Sequence, residues 1–455
     1  MVQKTKQTNA EINALVAKAT PVKITPRKVN WPEQTANRRP KKHSMINARM
    51  AIQALELECK LDVFHGRYVV EGSPLGGYVG ELSDKVTRKL REMSFAYLGL
   101  DPGKDATYDG VLRACEHHAF DPVQDYLDSL VWDGTPRLEK WLTAYLGVED
   151  TPLHRAWGRI VLVAAVRRIR DHGCKFDHVL VLEGPEGRDK SNTVQVLASG
   201  KAGGRDNFSD STILNKDEKQ QMELTKGVWF YEIAELAGMR KADVYSVKAF
   251  ITRQEDRARP AYERFKELQP RVCIFIGTFN TTADSEVIEY LTTGDNRRWW
   301  PVLVGFIDIA ALERDRDQLF AEAVFEDTVL GTPIKLDPSL WEAATEVQKS
   351  RELSDPLADR LARLYANVTA DDVAARLTLP DNRSVERGID YILTDADVWV
   401  SAKLVIDLLP ATLTSDGRRI AAAMHKLGWR RTNDNRAGRG VRGYVHARVS
   451  DGPAL

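Results

Sequence analysis

The sequence predicts an α/β protein: a mainly parallel sheet over about residues 151–330, with a helical N-terminal region and a small C-terminal winged-helix-like unit. Three observations carry this. Four short runs at 179–183, 228–231, 272–276 and 300–304 are continuously apolar or nearly so, as strands buried on both faces are. Helix-like stretches separate them, which is the order of parallel strands joined by crossovers. Beyond them, two helix-like stretches precede a Gly/Arg-rich turn between short strands, the order of a winged helix-turn-helix.

Taken in order, the chain begins with residues 1–43, where Lys, Thr, Asn, Gln and Pro mix with little apolar periodicity, so a basic disordered arm is expected. Residues 44–150 read as a mainly helical domain. Ser44 leads into Met50, Ile52, Leu55 and Leu57 at helical spacing, 63–70 is strand-like, and 86–130 reads as further short helices. Asp133-Gly134 marks a turn before an amphipathic stretch with Trp141, Leu142 and Tyr145. A strong helix over 154–170 opens the sheet domain of 151–330. A helical connector is expected over 331–389. In the unit at 390–455, Val398, Val400, Leu404, Val405 and Leu408 suggest one helix ended by Pro410, and 415–427 a second.

Composition narrows the class. The 455 residues imply about two to four domains at roughly 100–200 residues each. With 43% apolar and 29% charged residues the chain is globular in composition, which excludes a wholly disordered protein. No apolar run approaches the about 20 residues of a membrane span, and no secretory signal stands at the N-terminus. Four scattered cysteines, Cys59, Cys115, Cys174 and Cys273, fit a reducing cytoplasm. Cys115-x-His117-His118 lacks a second ligand pair and reads as a surface or core cluster rather than a metal site.

Lys plus Arg and Asp plus Glu both number 65, a net charge of zero that hides segregation. Residues 1–45 carry a net +8 and residues 416–448 a net +7, leaving about −15 elsewhere. Basic ends point to polyanion contacts, the alternative being solubility.

The first strand runs into Gly184-Pro185-Glu186-Gly187-Arg188-Asp189-Lys190-Ser191 and then a helix. This strand–loop–helix context is that of a Walker A phosphate loop, in which Lys190 would reach the β- and γ-phosphates of ATP and Ser191 would ligate Mg²⁺. Gly184, Gly187, Asp189, Lys190 and Ser191 are the candidate nucleotide-binding residues. Asp189 stands where the pattern wants glycine. It tolerates left-handed backbone better than most residues, but its carboxylate would lie beside phosphates. The alternative is a charged turn with no ligand.

Downstream, the second strand ends in Glu232, with Glu235 three residues on, an arrangement in which a carboxylate orients Mg²⁺ or the attacking water. The third strand ends at Asn280, where parallel sheets place their ligands. Arg297 and Arg298 sit in a Gly/Asn-rich loop before the fourth strand, suited to stabilising transition-state charge across a subunit boundary. Trp299 and Trp300 follow; packing is the favoured reading over base stacking. Arg257, Arg259, Arg264 and Lys266 alternate with aromatic residues in a hairpin-like stretch that would touch a DNA backbone, the alternative being an exposed surface. Arg430, Arg431, Arg436, Arg439 and Arg442 would grip phosphates from the C-terminal wing.

Together these residues form a recognisable set. Trp132-Asp133-Gly134, Pro136-Arg137-Leu138, the phosphate loop, Gly227-Val228-Trp229 leading to Glu232 and Glu235-Leu236, and Lys248-Ala249-Phe250 are joined by Arg257-x-Arg259-Pro260-x-Tyr262, Gly277-Thr278-x-Asn280 and Asn296-Arg297-Arg298-Trp299-Trp300-Pro301. Over about residues 45–330 the chain resembles the virulence-associated protein E family of phage and genomic-island proteins. The resemblance implies a three-layer P-loop ATPase core of AAA+ type, similar to superfamily 3 helicases, that assembles as a homo-oligomeric ring, often a hexamer, beside a separate primase. It implies ATP- and Mg²⁺-dependent translocation on single-stranded or replication-fork DNA. By matching position it gives Lys190 and Ser191 to nucleotide binding, Glu232 to Mg²⁺ or water activation, Asn280 to sensing, and Arg297 or Arg298 to the arginine acting in trans. Family members usually keep glycine at the position of Asp189. The alternative is therefore a catalytically impaired factor that binds DNA or a primase without turnover.

Overall fold

The computed structural model describes residues 29–72, 75, 79–234, 241–258, 266–281, 290–291, 296–353, 356–365, 391–393, 397–410, 417–432 and 441–447. The chain divides into two compact units, Met1–Ser350 and Arg351–Leu455. Among the described residues, no helix is long and apolar enough to cross a membrane.

Residues 29–43 are an ordered turn, not the disordered arm that their composition suggests; residues 1–28 lie outside the described residues. Their order comes from a partner outside the segment, the buried side chain of Asn47, which bonds the backbone of Glu33 and Lys41. Asn47 lies in α1 (Met45–Ala54), which starts at Ser44 with its side chain accepting from the Asn47 N–H.

The segment expected to be mainly helical mixes helices with a sheet. Four strands, β1 (Glu58–Asp62), β2 (Arg67–Glu71), β3 (Val79–Glu81) and β4 (Ala119–Phe120), take the order β3-β2-β1-β4. Around them lie α2 (Asp84–Leu98), α3 (Lys104–Glu116) and α4 (Pro122–Ser129). The strand-like run at 63–70 is a tight turn plus β2, paired antiparallel with β1. The sheet escapes a reading by composition because one face alone is apolar. Cys59 and Val70 face a core with Ile52, Leu90 and Val111, while Glu58, Lys60 and Arg67 do not. The β1–β2 turn is keyed into the next layer: Phe64 joins the main core, and His65 Nε2 lies 2.9 Å from Asn207 Oδ1.

After α5 (Trp141–Leu146), the long α6 (Pro152–Arg170) is buried along most of its length. The central sheet follows, with β5 (Val179–Pro185), α7 (Lys190–Ser199), β6 (Phe208–Ser209), α8 (Glu218–Thr225), β7 (Phe230–Ile233), α9 (Lys241–Thr252), the hairpin β8 (Glu255–Ala258) and β9 (Glu267–Pro270), β10 (Ile274–Thr281) and β11 (Trp299–Leu303). Strands β11-β5-β10-β7-β6 lie side by side, all parallel. All four apolar runs seen in the sequence are therefore strands of one sheet. Alternate residues serve opposite faces. Leu180, Leu182, Ile274, Ile276 and Val302 pack with α6 and α10 (Ile309–Thr328). Val179, Val181, Tyr231, Phe275 and Trp299 pack with Val247, Phe250 and Ile251 of α9. The sheet is thus covered on both faces, which is why its strands read as unbroken apolar runs. A short 3₁₀ turn (Pro338–Leu340) and α11 (Trp341–Lys349) end this unit.

The second unit contains α12 (Pro356–Tyr365), β12 (Tyr391–Leu393), β13 (Asp397–Ser401), α13 (Ala402–Asp407), α14 (Gly417–Lys426), β14 (Arg430–Thr432) and β15 (Gly443–Ala447), with sheet order β12-β13-β15-β14. The single helix expected over 398–408 is a strand followed by a helix. Val398, Trp399 and Val400 are all buried, and Ser401 ends the strand by accepting the Leu404 N–H at 3.0 Å, capping α13. Trp429, also buried, donates from Nε1 to the Tyr365 carbonyl at 3.1 Å and ties α12 to the start of β14.

Beneath the β8–β9 hairpin, Arg271 is 1% exposed and forks onto Asp256, with Nε to Oδ2 at 2.6 Å and Nη2 to Oδ1 at 2.8 Å, while its guanidinium lies 4.1 Å from the Phe250 ring centre. Removing one member of such a buried pair strands the other charge. Asp256→Ala is expected to destabilise the fold by about 3–5 kcal/mol, measured as the shift in chemical unfolding midpoint.

Candidate functional site

The phosphate-loop sequence forms the expected turn between β5 and α7. Two of its residues are left-handed, Gly187 at φ 75° and Asp189 at φ 56°. Gly184, at the end of β5, has no room for a side chain: a Cβ there would come within 2.8 Å of Val304 Cγ2. Asp189 therefore satisfies by its own backbone what glycine would supply. Its carbonyl accepts the first helical bond, from Thr193 N at 2.9 Å, and its Oδ1 accepts from Asn192 Nδ2 at 2.7 Å.

Lys190 begins α7 and is 6% exposed. Its ammonium folds back on the loop, donating to the carbonyls of Gly184 at 2.8 Å and Pro185 at 2.7 Å. Burial holds its pKa below the usual lysine value. One residue on, Ser191 Oγ donates to Glu232 Oε1 at 2.7 Å. The same carboxylate oxygen accepts from Thr278 Oγ1, also at 2.7 Å. Glu232 is 2% exposed, so its bonds matter: a buried polar group without partners is costly. The contact joins α7, β7 and β10.

Strand register explains the meeting. On β10, Thr278 pairs beside Leu182 and Asn280 beside Gly184, so both stand on one face next to the loop. Lys190, Ser191, Glu232, Thr278 and Asn280 all line a cavity of about 340 Å³, with Asp189 and Asn192 at its loop side. The structure thus brings Gly187, Asp189, Lys190, Ser191, Glu232 and Asn280 together. Thr278 is the member that sequence reasoning passed over. Its signal was available: two residues before Asn280 on a strand, it had to share that face. Glu235 lies outside the described residues.

The donor set suits a small hard cation held partly by its ligand. Ser191 Oγ and Glu232 Oε1 are oxygen donors in contact. No group of three or more His, Cys, Asp or Glu gathers as metal ligands among the described residues. Mg²⁺ commonly takes one or two protein oxygens and completes its shell from phosphates and water.

Arg297 and Arg298 stand apart from this cluster. They precede β11, whose first residue Trp299 pairs with Val179 at the start of β5. The loop leaves β5 at its other end, about 16 Å away at 3.3 Å per residue. Arg298 Nε donates to Asp177 Oδ2 at 3.0 Å, both side chains being mostly buried, and Arg297 is exposed. Neither reaches the phosphate loop of its own chain. Trp299 and Trp300 are buried, and Trp300 stacks on His178 with ring centres 4.3 Å apart, so they pack rather than meet a base.

Among the candidate DNA contacts, Arg257 on β8 and Lys266 just before β9 are exposed on the expected hairpin, whose register pairs Arg257 with Leu268. Arg259 and Arg264 lie outside the described residues. Arg430, Arg431 and Arg442 are exposed on or next to β14 and β15, and Arg436 and Arg439 lie outside the described residues. Arg298→Ala and Asp177→Ala are expected to be coupled by about 1 kcal/mol in a double-mutant unfolding cycle, because their ion pair is only partly desolvated.

Residues 127–353 match the family described as Virulence-associated protein E-like domain. No curated protein matches the chain. Two solved structures are similar, "The A form apo structure of NrS-1 C terminal region-CTR(305-718)" at 11% identity and TM-score 0.44, and "The A form apo structure of NrS-1 C terminal region-CTR" at 12% identity and TM-score 0.48. Each alignment covers 89% of this chain and 99% of the other. The segment from α4 to the end of α11, which holds the phosphate loop, the Glu232 strand and the Asn280 strand, is thus similar to the virulence-associated protein E-like domain.

Proposed function

We propose that the chain is a helicase-like P-loop ATPase of AAA+ type that acts on DNA in the replication of a phage or mobile element, as a homo-oligomeric ring. The observation that carries the reading is the contact of Ser191 with Glu232, 2.7 Å apart, where a phosphate loop and an acid strand would share Mg²⁺. When bound, the ion would neutralise charge building on the phosphates. Lys190 would exchange its two loop carbonyls for phosphate oxygens, a change that replaces neutral acceptors with anionic ones. Asn280 would orient water for in-line attack on the γ-phosphate, with Glu232 polarising it, and Thr278 would fix the Glu232 carboxylate. Arg297, at the end of the sheet away from the loop, would act in a neighbour's site rather than its own.

The DNA partner draws support from the basic residues on two hairpins, Arg257 and Lys266 on one and Arg430, Arg431 and Arg442 on the other. The second closes a unit in which two helices, α13 and α14, precede the strands β14 and β15, an order that supports a winged-helix-like reading. The virulence-associated protein E-like match supports the mobile-element setting, and a separate primase is the expected partner. Asp189, which lines the same cavity as Lys190, favours a second reading: a factor that holds nucleotide or DNA without turnover.

ATP hydrolysis with and without single-stranded DNA tests the pair. Lys190→Ala is expected to lower the rate at least about 100-fold, and Glu232→Gln to abolish turnover while ATP still binds. Asp189→Gly is expected to stay within about tenfold of the native rate, since the Asp backbone already holds the left-handed form. Revival of an inactive native chain by Asp189→Gly would establish the second reading instead.

A further inference from the structure

We propose that the turn at residues 34–43 is a nucleic-acid contact that grips the phosphate backbone without reading sequence. Arg38, Arg39, Lys41 and Lys42 fall within five positions, and all four are exposed. Among the described residues, no ion pair ties any of them to a carboxylate. The acid that Lys42 influences, Asp101, is already held by Arg91 through two hydrogen bonds of 3.0 Å. Four cations so placed have the composition of a phosphate-contacting surface.

The mounting separates this turn from an ordinary basic tail. Asn47 is fully buried, and its amide closes both ends: Nδ2 donates to Glu33 O at 2.7 Å and Lys41 O at 3.0 Å, while Oδ1 accepts from Glu33 N at 3.1 Å. Inside the turn, Thr35 N donates to Arg39 O at 2.8 Å, Arg38 N to Thr35 O at 2.9 Å and Lys41 N to Glu33 O at 3.0 Å. The backbone is therefore ordered before any partner arrives, so binding costs less entropy than ordering a tail. The preceding sequence adds Lys4, Lys6, Lys18, Lys23, Arg27 and Lys28, whereas the chain outside its two basic ends is net acidic. An anionic lipid surface would share the charge. Beside the turn, however, Met45 and Ile46 are the exposed apolar side chains, far short of the apolar face of an interfacial helix.

The surface adds a contact to the DNA partner of the reading above but needs no hydrolysis. The test measures anisotropy of labelled single-stranded and duplex oligonucleotides of mixed sequence with the full chain, without nucleotide, over about 50–200 mM salt. The variant carrying Arg38→Gln, Arg39→Gln, Lys41→Gln and Lys42→Gln is expected to bind about tenfold or more weakly, with a log–log salt slope shallower by about 3. Swapping the same positions between Arg and Lys is expected to keep both affinity and slope. The single-strand and duplex arms show which form of backbone the turn prefers. Equal affinity and slope for native and glutamine chains would overturn the proposal, as would loss of binding to anionic vesicles with DNA binding unchanged. A native chain that binds no DNA at low salt would sink the DNA reading as a whole, whereas native binding matched by the variant sinks the turn alone.

Discussion

The architecture around the phosphate loop depends on one buried carboxylate. Glu232 sits at the end of β7 with almost no exposure, so the fold must bring donors to it. It obtains two hydroxyls on one oxygen, Ser191 from the first turn of α7 and Thr278 from β10. Hydrogen bonds to a charged group contribute about 1.5–3 kcal/mol each. The strand order makes the meeting possible, because β10 lies between β5 and β7 and its Thr278 stands between loop and acid. The two bonds thereby tie the first turn of α7 to β7 and β10, while Val194, Val196, Leu197 and Ala198 seat the rest of the helix in the core.

Much of the fold was legible in the sequence for a simple reason. A parallel strand covered on both faces has no polar side, so β5, β7, β10 and β11 announce themselves as apolar runs. The phosphate loop was legible because its spacing is local. What escaped depends on distant partners. β1 and β2 have one buried face each, and their polar residues masked them. The turn at 29–43 looked disordered because its order is supplied by Asn47, 14 residues from Glu33. The stretch at 398–408 fits both periods, and Ser401 decides between them by capping a helix. Thr278 was hidden by its neighbour Asn280, a more familiar catalytic residue type.

Charge counting treats all basic residues alike, and the structure sorts them. Arg168 and Arg271 are each 1% exposed, and Arg316 is 6% exposed. Arg168 donates to the carbonyls of Cys174, Phe176 and Cys273, tying α6 to the segments just before β5 and β10. Arg316 caps the end of α7 through the carbonyls of Leu197 and Ala198, and its guanidinium lies 4.6 Å from the Tyr126 ring centre. These cations are internal fasteners for strand and helix ends. Arg271 belongs to them although it closely follows the basic stretch at 257–266 that suggested DNA contact. Among the described residues, fewer cations are exposed to meet a polyanion than the sequence count implies.

The clasp around Asn47 also determines where the chain can be shortened. Composition places a natural cut at residue 44, just before the first helix. A chain starting there would keep α1 but lose Glu33 and Lys41, leaving a buried amide with its donors and acceptor unmatched at the first turn of that helix. Its loss would be felt next in α3, which packs against α1. Residues 29–43 therefore belong to the folded domain rather than to a dispensable leader.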